Sequence, residues 1–154
     1  VLPIVRKVRP ETSLLISGVD PSQAVRDLAK NDPLISVSGW VKDIRVSYAT
    51  ARIFAAPMQI GTGLQNKLLE AMAMRIPCVT SALANNAVGA PAGTAILIGN
   101  SPEDYAEHIL RLLNDPAERQ RVAESGYDFV RSHFDWDRAA QALDALVSDP
   151  RPVH

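Results

Sequence analysis

The sequence predicts an α/β fold: a Rossmann-like parallel sheet with helices on both faces and a helical C-terminal tail. Three observations predict it. Apolar runs recur at residues 13–18, 34–39, 51–57, 76–81 and 95–98, continuous rather than alternating, as strands covered on both faces require. Capped segments of helical spacing separate them. After residue 100 the helical period continues with no further strand.

The elements follow in order. Leu2, Val5 and Val8 stand three apart, as on the end of a helix that Pro10 stops. The run at 13–18 ends in glycine and reads as a buried strand, followed by a turn at 19–22. Ser22 caps a helix whose apolar face is Val25, Leu28 and Ala29, and the Asn31-Asp32-Pro33 break ends it. A second strand closes on Gly39. Asp43 then caps a short helix carrying Ile44 and Tyr48, and the next strand runs into Pro57. Residues 82–94 are small and polar and read as a loop over the carboxyl edge of the sheet.

Ser101-Pro102-Glu103-Asp104 opens a helix with a hydroxyl cap, a proline at the first position and acids in the first turn. Its face is Tyr105, Ile109, Leu112 and Leu113. Asp115-Pro116 opens another, with Val122, Tyr127, Phe129 and Val130. A third, from about 136 to 147, carries Ala139, Leu143 and Leu146. We expect one domain over residues 1–148 and a frayed tail at 149–154.

Composition narrows the function classes. The 154 residues suffice for one domain with a core. A net charge of -1 argues against a surface built for nucleic acid, though not against a local phosphate site. Cys78 is the single cysteine, so no intrachain disulfide forms, and no Cys/His cluster has metal-ligand spacing. A cytoplasmic location is the expectation. No apolar run reaches the ~18–20 residues that span a bilayer. The chain opens without Met or a signal-peptide pattern, and we expect it to be part of something longer.

The chemistry concentrates in residues 61–75. Gly61-Thr62-Gly63 precedes a helix on which Leu68, Leu69, Met72, Ala73 and Ile76 form one broad face. Asn66, Lys67 and Glu70 share the opposite side within roughly 100°. Two readings stand side by side. In one, Lys67 and Glu70 are a surface pair worth ~0.2–0.5 kcal/mol and the glycines turn the chain. In the other, loop amides and Lys67 hold phosphate oxygens at the positive helix end, and Glu70 accepts from a sugar's hydroxyl pair.

Leu69-Glu70-Ala71-Met72-Ala73-Met74-Arg75-Ile76-Pro77-Cys78-Val79 resembles the Leu-Glu-Ala-Met-Ala-x-Gly-x-Pro-Val-Val segment of retaining GT-B glycosyltransferases, the glycosyl transferases group 1 type. The resemblance extends through the strand at 13–18, Ser38-Gly39-Trp40-Val41-Lys42-Asp43, Ala56-Pro57 and Phe134-Asp135-Trp136. Residues 61–70 look most like a subgroup of exopolysaccharide assembly.

The resemblance implies the C-terminal, donor-binding half of an enzyme that uses a nucleotide-diphosphate sugar. Glu70 would bind the ribose hydroxyls. The amides of Gly61, Thr62, Gly63, Leu64 and Gln65, with Lys67, would hold the diphosphate, and Gly39, Trp40 and Val41 would border the base. No cofactor or metal is implied. The implied partners are the nucleotide sugar and an N-terminal acceptor domain of the same polypeptide, with no nucleic acid. Peripheral association with the inner face of the membrane through that other half is left open. The family also places one more strand, ahead of residues 1–9, at the centre of the sheet.

Two departures stand out. The family's second glutamate, near the donor sugar, falls at Thr62, which has no carboxylate, so the catalytic residues stay unassigned. Arg75 replaces a glycine after the helix, at the expense of a good C-cap. A GT-B-fold epimerase and a non-catalytic ligand- or partner-binding module remain as alternatives, Thr62 favouring the latter. Elsewhere, Cys78 reads as core, and His108, His133 and His154 as surface or packing residues. Asp135 and Asp137 read as flanking a helix start. Asn85 and Asn86 either contact a sugar or turn a loop, and Arg52 ends a strand in solvent.

Overall fold

Five short parallel strands carry the described part of the chain. In the computed structural model residues 1–60 and 63–148 are described, the side chains of 136–139, 142 and 146 excepted. The chain runs α1 (Leu2–Val8), β1 (Leu14–Ser17), α2 (Gln23–Asn31), β2 (Ile35–Ser38), α3 (Ile44–Thr50), β3 (Phe54–Ala56) and α4 (Asn66–Ala73). It continues through β4 (Cys78–Thr80), α5 (Ala82–Val88) and β5 (Leu97–Ile98). The tail is α6 (Pro102–Asn114), α7 (Pro116–His133) and α8 (Trp136–Ser148). The tail expected at 149–154 lies outside the described residues.

The strands form two parallel sheets. β1 pairs with β2, Leu14 opposite Ile35 through Ser17 opposite Ser38. β3, β4 and β5 form the second, with Phe54 opposite Cys78 and Val79 opposite Leu97. β1 and β3 each keep one edge unpaired. A cavity of about 620 Å³ lies there, lined by Val5, Leu14, Ile53, Ala55, Tyr105 and Leu113 among others. The central strand that the resemblance expects would sit between such edges.

Helices hold the two sheets together. α1 packs on α6 with Val5 buried, and Arg6 binds both the Asp32 carboxylate and the Thr12 carbonyl. Arg9 donates to Leu113 O at 3.3 Å and Asn114 Oδ1 at 3.0 Å. α3 bridges from the other side: the Ser17 hydroxyl of β1 donates to Ser47 Oγ at 2.9 Å, and the next residue, Tyr48, reaches α4.

Both faces of the three-stranded sheet are covered, as its apolar runs require. Cys78 of β4 faces Leu68, Met72, Ile96 and Phe129, whereas its neighbour Val79 faces Leu97, Tyr105, Leu112 and Val122. α7 comes close at Gly126, where a Cβ would stand 3.0 Å from Ala95 O and 3.3 Å from Met72 Cγ.

The structure corrects the sequence reading at several points. The stretch expected to be a loop at 82–94 begins with α5. Ser81 Oγ accepts from Ala84 N at 3.2 Å, and Gly89 ends the helix in the left-handed region at φ 72°. The small residues that suggested a loop suit a short helix under those two caps. On α4 the buried stripe is Leu68, Ala71 and Met72, while Ala73 is exposed. α4 packs on α7 as well as on the sheet, and that second neighbour turns the buried stripe toward Ala71. Val8 and Leu28 are largely exposed rather than core.

Candidate functional site

The loops that follow parallel strands gather at their carboxyl ends, where open α/β sheets bind ligands. Here those loops begin at Gly18, at Gly39 and at Pro57. The last of them leads into α4, whose start differs from the other strand-following helices. Ser22, Asp43 and Ser81 each cap their helix with a side-chain oxygen, but Gln65 makes no such bond to α4. Among the described residues the first N–H groups of α4 therefore find no side-chain acceptor, and its dipole favours an anion there.

Gln65 is used differently. Its side chain is buried, 8% exposed, and Nε2 donates to Gly63 O at 3.1 Å, stitching the loop to the helix start. Gly63 sits at φ 83°, a conformation that L side chains rarely adopt. Leu64 is exposed, and Gly61 and Thr62 lie outside the described residues.

Lys67 does not pair with Glu70. Its ammonium lies 3.7 Å from Met58 Sδ, and it makes no ion pair among the described residues. The surface-pair reading of these two residues thus loses its main contact. Glu70 is exposed, and one oxygen is engaged: the Tyr48 hydroxyl donates to Oε2 at 2.9 Å and approaches Lys67 O at 3.2 Å. Burial, then the bond to Glu70, pushes the Tyr48 phenol well above its usual value, so it stays a donor.

Trp40 is 72% exposed and belongs to no core cluster among the described residues, while Gly39 is exposed and Val41 half-buried. α3 puts Tyr48 five residues beyond Asp43, about 8 Å along the helix axis. The 39–41 loop therefore opens the helix that touches Glu70. On its other flank Glu70 borders a groove of about 540 Å³ with Asn66, Leu69, Val130 and His133.

Four of the remaining candidates, Cys78, His108, His133 and Asn85, have structural partners. Cys78 is fully buried, its thiol pushed up by burial and directed at Ile76 O, 3.4 Å away. His108 bonds Ile98 O through Nε2 at 3.0 Å, and His133 stacks on Phe129 at 4.5 Å. Asn85 makes two bonds to the Ala90 backbone and so fixes the α5 exit, while Asn86 and Arg52 are exposed. His154 and the Asp137 side chain lie outside the described part. Among the described residues no three His, Cys, Asp or Glu side chains cluster as a metal site, and no helix is long and apolar enough to cross a membrane.

Sequence reasoning missed the Tyr48–Glu70 bond and the Gln65 side chain. Tyr48 carried the apolar-face signal of a short helix, and nothing local connects it to a residue 22 positions on.

A profile of the family described as Glycosyl transferases group 1 matches residues 1–115. The chain belongs to that family. It is 29% identical to a GDP-mannose-dependent monoacylated alpha-(1-6)-phosphatidylinositol monomannoside mannosyltransferase of Corynebacterium glutamicum, over 97% of this chain and 42% of that protein. Its fold matches sucrose-phosphate synthase from Thermosynechococcus elongatus with a TM-score of 0.74 at 21% identity, over 94% of this chain and 41% of the other. It also matches Anabaena HepE in complex with UDP, with a TM-score of 0.70 at 13% identity, covering 95% and 52%. The chain thus spans about half or less of these proteins.

Proposed function

We propose that residues 1–148 are the donor-binding domain of a glycosyltransferase, taking a nucleotide-diphosphate sugar at the loop and helix around residues 61–70. The observation that carries this is the start of α4. Among the described residues, amides without a side-chain cap, a lysine without a carboxylate partner and an exposed carboxylate stand within two turns, in a chain of this family. The amides of Gly61 to Gln65 and Lys67 take the diphosphate, a preorganised positive site for charge on a leaving group. Glu70 accepts from the ribose diol. Gly39, Trp40 and Val41 border the base, and the exposed Trp40 face suits stacking.

The whole enzyme, in this reading, passes the sugar with retention to a glycan or lipid-linked acceptor held by an N-terminal half, in exopolysaccharide or cell-envelope synthesis. It works in the cytoplasm, at the inner membrane face if the other half associates there. This chain alone transfers no sugar. A solved neighbour with UDP and a relative named for GDP-mannose support the donor class. Calorimetry with UDP and GDP tests it: binding should be measurable and lost in Glu70→Ala. Unchanged affinity in that variant overturns the ribose assignment, and turnover by this chain alone overturns its inactivity.

Thr62 favours a second reading, a non-catalytic module that keeps the fold without the family's second carboxylate. Nucleotide binding with no transfer, even when the complete polypeptide is assayed, would favour it.

A further inference from the structure

Glu70 is an exposed glutamate on the surface of α4, a setting in which the side chain ordinarily samples several rotamers. Fixing such a side chain on binding a ligand costs rotamer freedom. Here one carboxylate oxygen is already held. The donor is Tyr48, only 7% exposed, its ring edge-on to Phe54 with centroids 5.6 Å apart. A ring locked in that way cannot follow a moving carboxylate, so its hydroxyl defines one position for Oε2.

We infer that Tyr48 is a positioning residue for Glu70: by donating to Oε2 it orients the carboxylate so that the remaining lone pairs meet the ribose diol of a nucleoside diphosphate. The inference rests on the ribose role proposed for Glu70. A carboxylate offers about four acceptor sites, so one bond from Tyr48 leaves room for two sugar hydroxyls. The bond to an ionised acceptor is also among the stronger hydrogen bonds. The second approach, to Lys67 O in the first turn of α4, ties the same phenol to the helix that presents the diphosphate amides. Ser47, the preceding residue, accepts from Ser17 of β1, so α3 is anchored at two consecutive positions and holds the phenol between the sheets.

The test is calorimetry on Tyr48→Phe, which keeps the ring and its packing and removes only the hydroxyl. UDP and its 2′,3′-dideoxy analogue are the probes. UDP affinity should fall about fivefold to tenfold, the loss of one net hydrogen bond's worth, with no change for the dideoxy analogue. Melting curves of each variant establish that it is folded at the titration temperature. Equal losses for both probes overturn the inference, because Tyr48 would then act on the loop as a whole. Unchanged UDP affinity in Tyr48→Phe, with Glu70→Ala impaired, overturns it while leaving the ribose reading intact. Unchanged UDP affinity in Glu70→Ala overturns both.

Discussion

The Arg75 guanidinium carbon lies 3.5 Å from the centroid of the Tyr127 ring. Its Nε also donates to Glu124, 3.0 Å from Oε2, across the same α4–α7 contact. Arg75 itself is left-handed, φ 55°, at the position where the resembling family carries glycine. The backbone therefore keeps a glycine conformation, and the arginine offsets its strain with contacts glycine lacks. Arg75→Ala keeps the strain and loses the contacts, so its urea midpoint should fall clearly below wild type. Arg75→Gly removes both and should stay near wild type. A midpoint for the alanine variant equal to that of wild type would show that the contacts contribute nothing, and one at or above that of the glycine variant would show that the left-handed backbone carries no strain.

Gly126 marks a close approach of α7 to the rest of the core. An added Cβ meets a backbone oxygen, Ala95 O, which cannot rotate away, and Met72, which is itself fully buried. Helix propensity favours alanine over glycine by about 1 kcal/mol, so Gly126→Ala should come out within about 1 kcal/mol of neutral. Gly126→Val adds two more carbons and should cost about 2–3 kcal/mol by overpacking. Urea denaturation of both variants checks the order, which a loosely packed helix contact would not produce.

In the proposed reading Lys67 offers its charge to the donor, with no competing carboxylate among the described residues. Replacing it by Met keeps the chain length over Met58 while removing the ammonium. Affinity for UDP should fall about tenfold, as loss of one charge-assisted bond implies. Uridine, which has no phosphate, should bind Lys67→Met and wild type alike. An equal loss for uridine would place Lys67 on the base or sugar instead. Raising salt should narrow the difference between the two proteins for UDP.

Acid lability should trace to paired carboxylates. Asp104 accepts from the backbone N–H of Asn100 and Ser101, at 2.9 and 3.1 Å, and these bonds hold its pKa below the ordinary value of 3.8. The Arg6 guanidinium does the same for Asp32. A depressed carboxylate contributes stability that is present above its unfolded pKa, about 4, and is lost as pH falls through the folded one. Stability should therefore decline below about pH 4 and not between pH 5 and 7. Asp104→Asn should flatten that acid limb; an unchanged limb would remove the capping box from the account.

Much of this was legible in the sequence for reasons that are local. Ser101 through Asp104 is a capping box in print because all its partners lie within four residues. The five apolar runs appear as strands, each shorter than the run that announced it. What stayed hidden is tertiary. The choice between Ala71 and Ala73 for the core depends on where α7 packs, and the role of Tyr48 depends on a residue 22 positions away. The left-handed backbone at Arg75 was legible only as a lost cap, since its compensation by Tyr127 and Glu124 comes from another helix.

The gap between β1 and β3 leads to the last prediction. β1 follows α1 with no strand ahead of that helix among the residues present, yet a right-handed crossover would bring α1 over one face of a strand parallel to β1. The open edges of β1 and β3 and the apolar lining of Leu14, Ile53 and Ala55 suit an inserted strand with covered faces. In the reading proposed above, the complete polypeptide supplies such a strand ahead of residue 1, and a chain that carries it should have its two sheets joined. Hydrogen exchange should slow at backbone amides of Leu14–Ser17 and Phe54–Ala56, and the melting temperature should rise. Exchange slowed only in α1, with both strand edges unaffected, would mean that the preceding segment packs elsewhere.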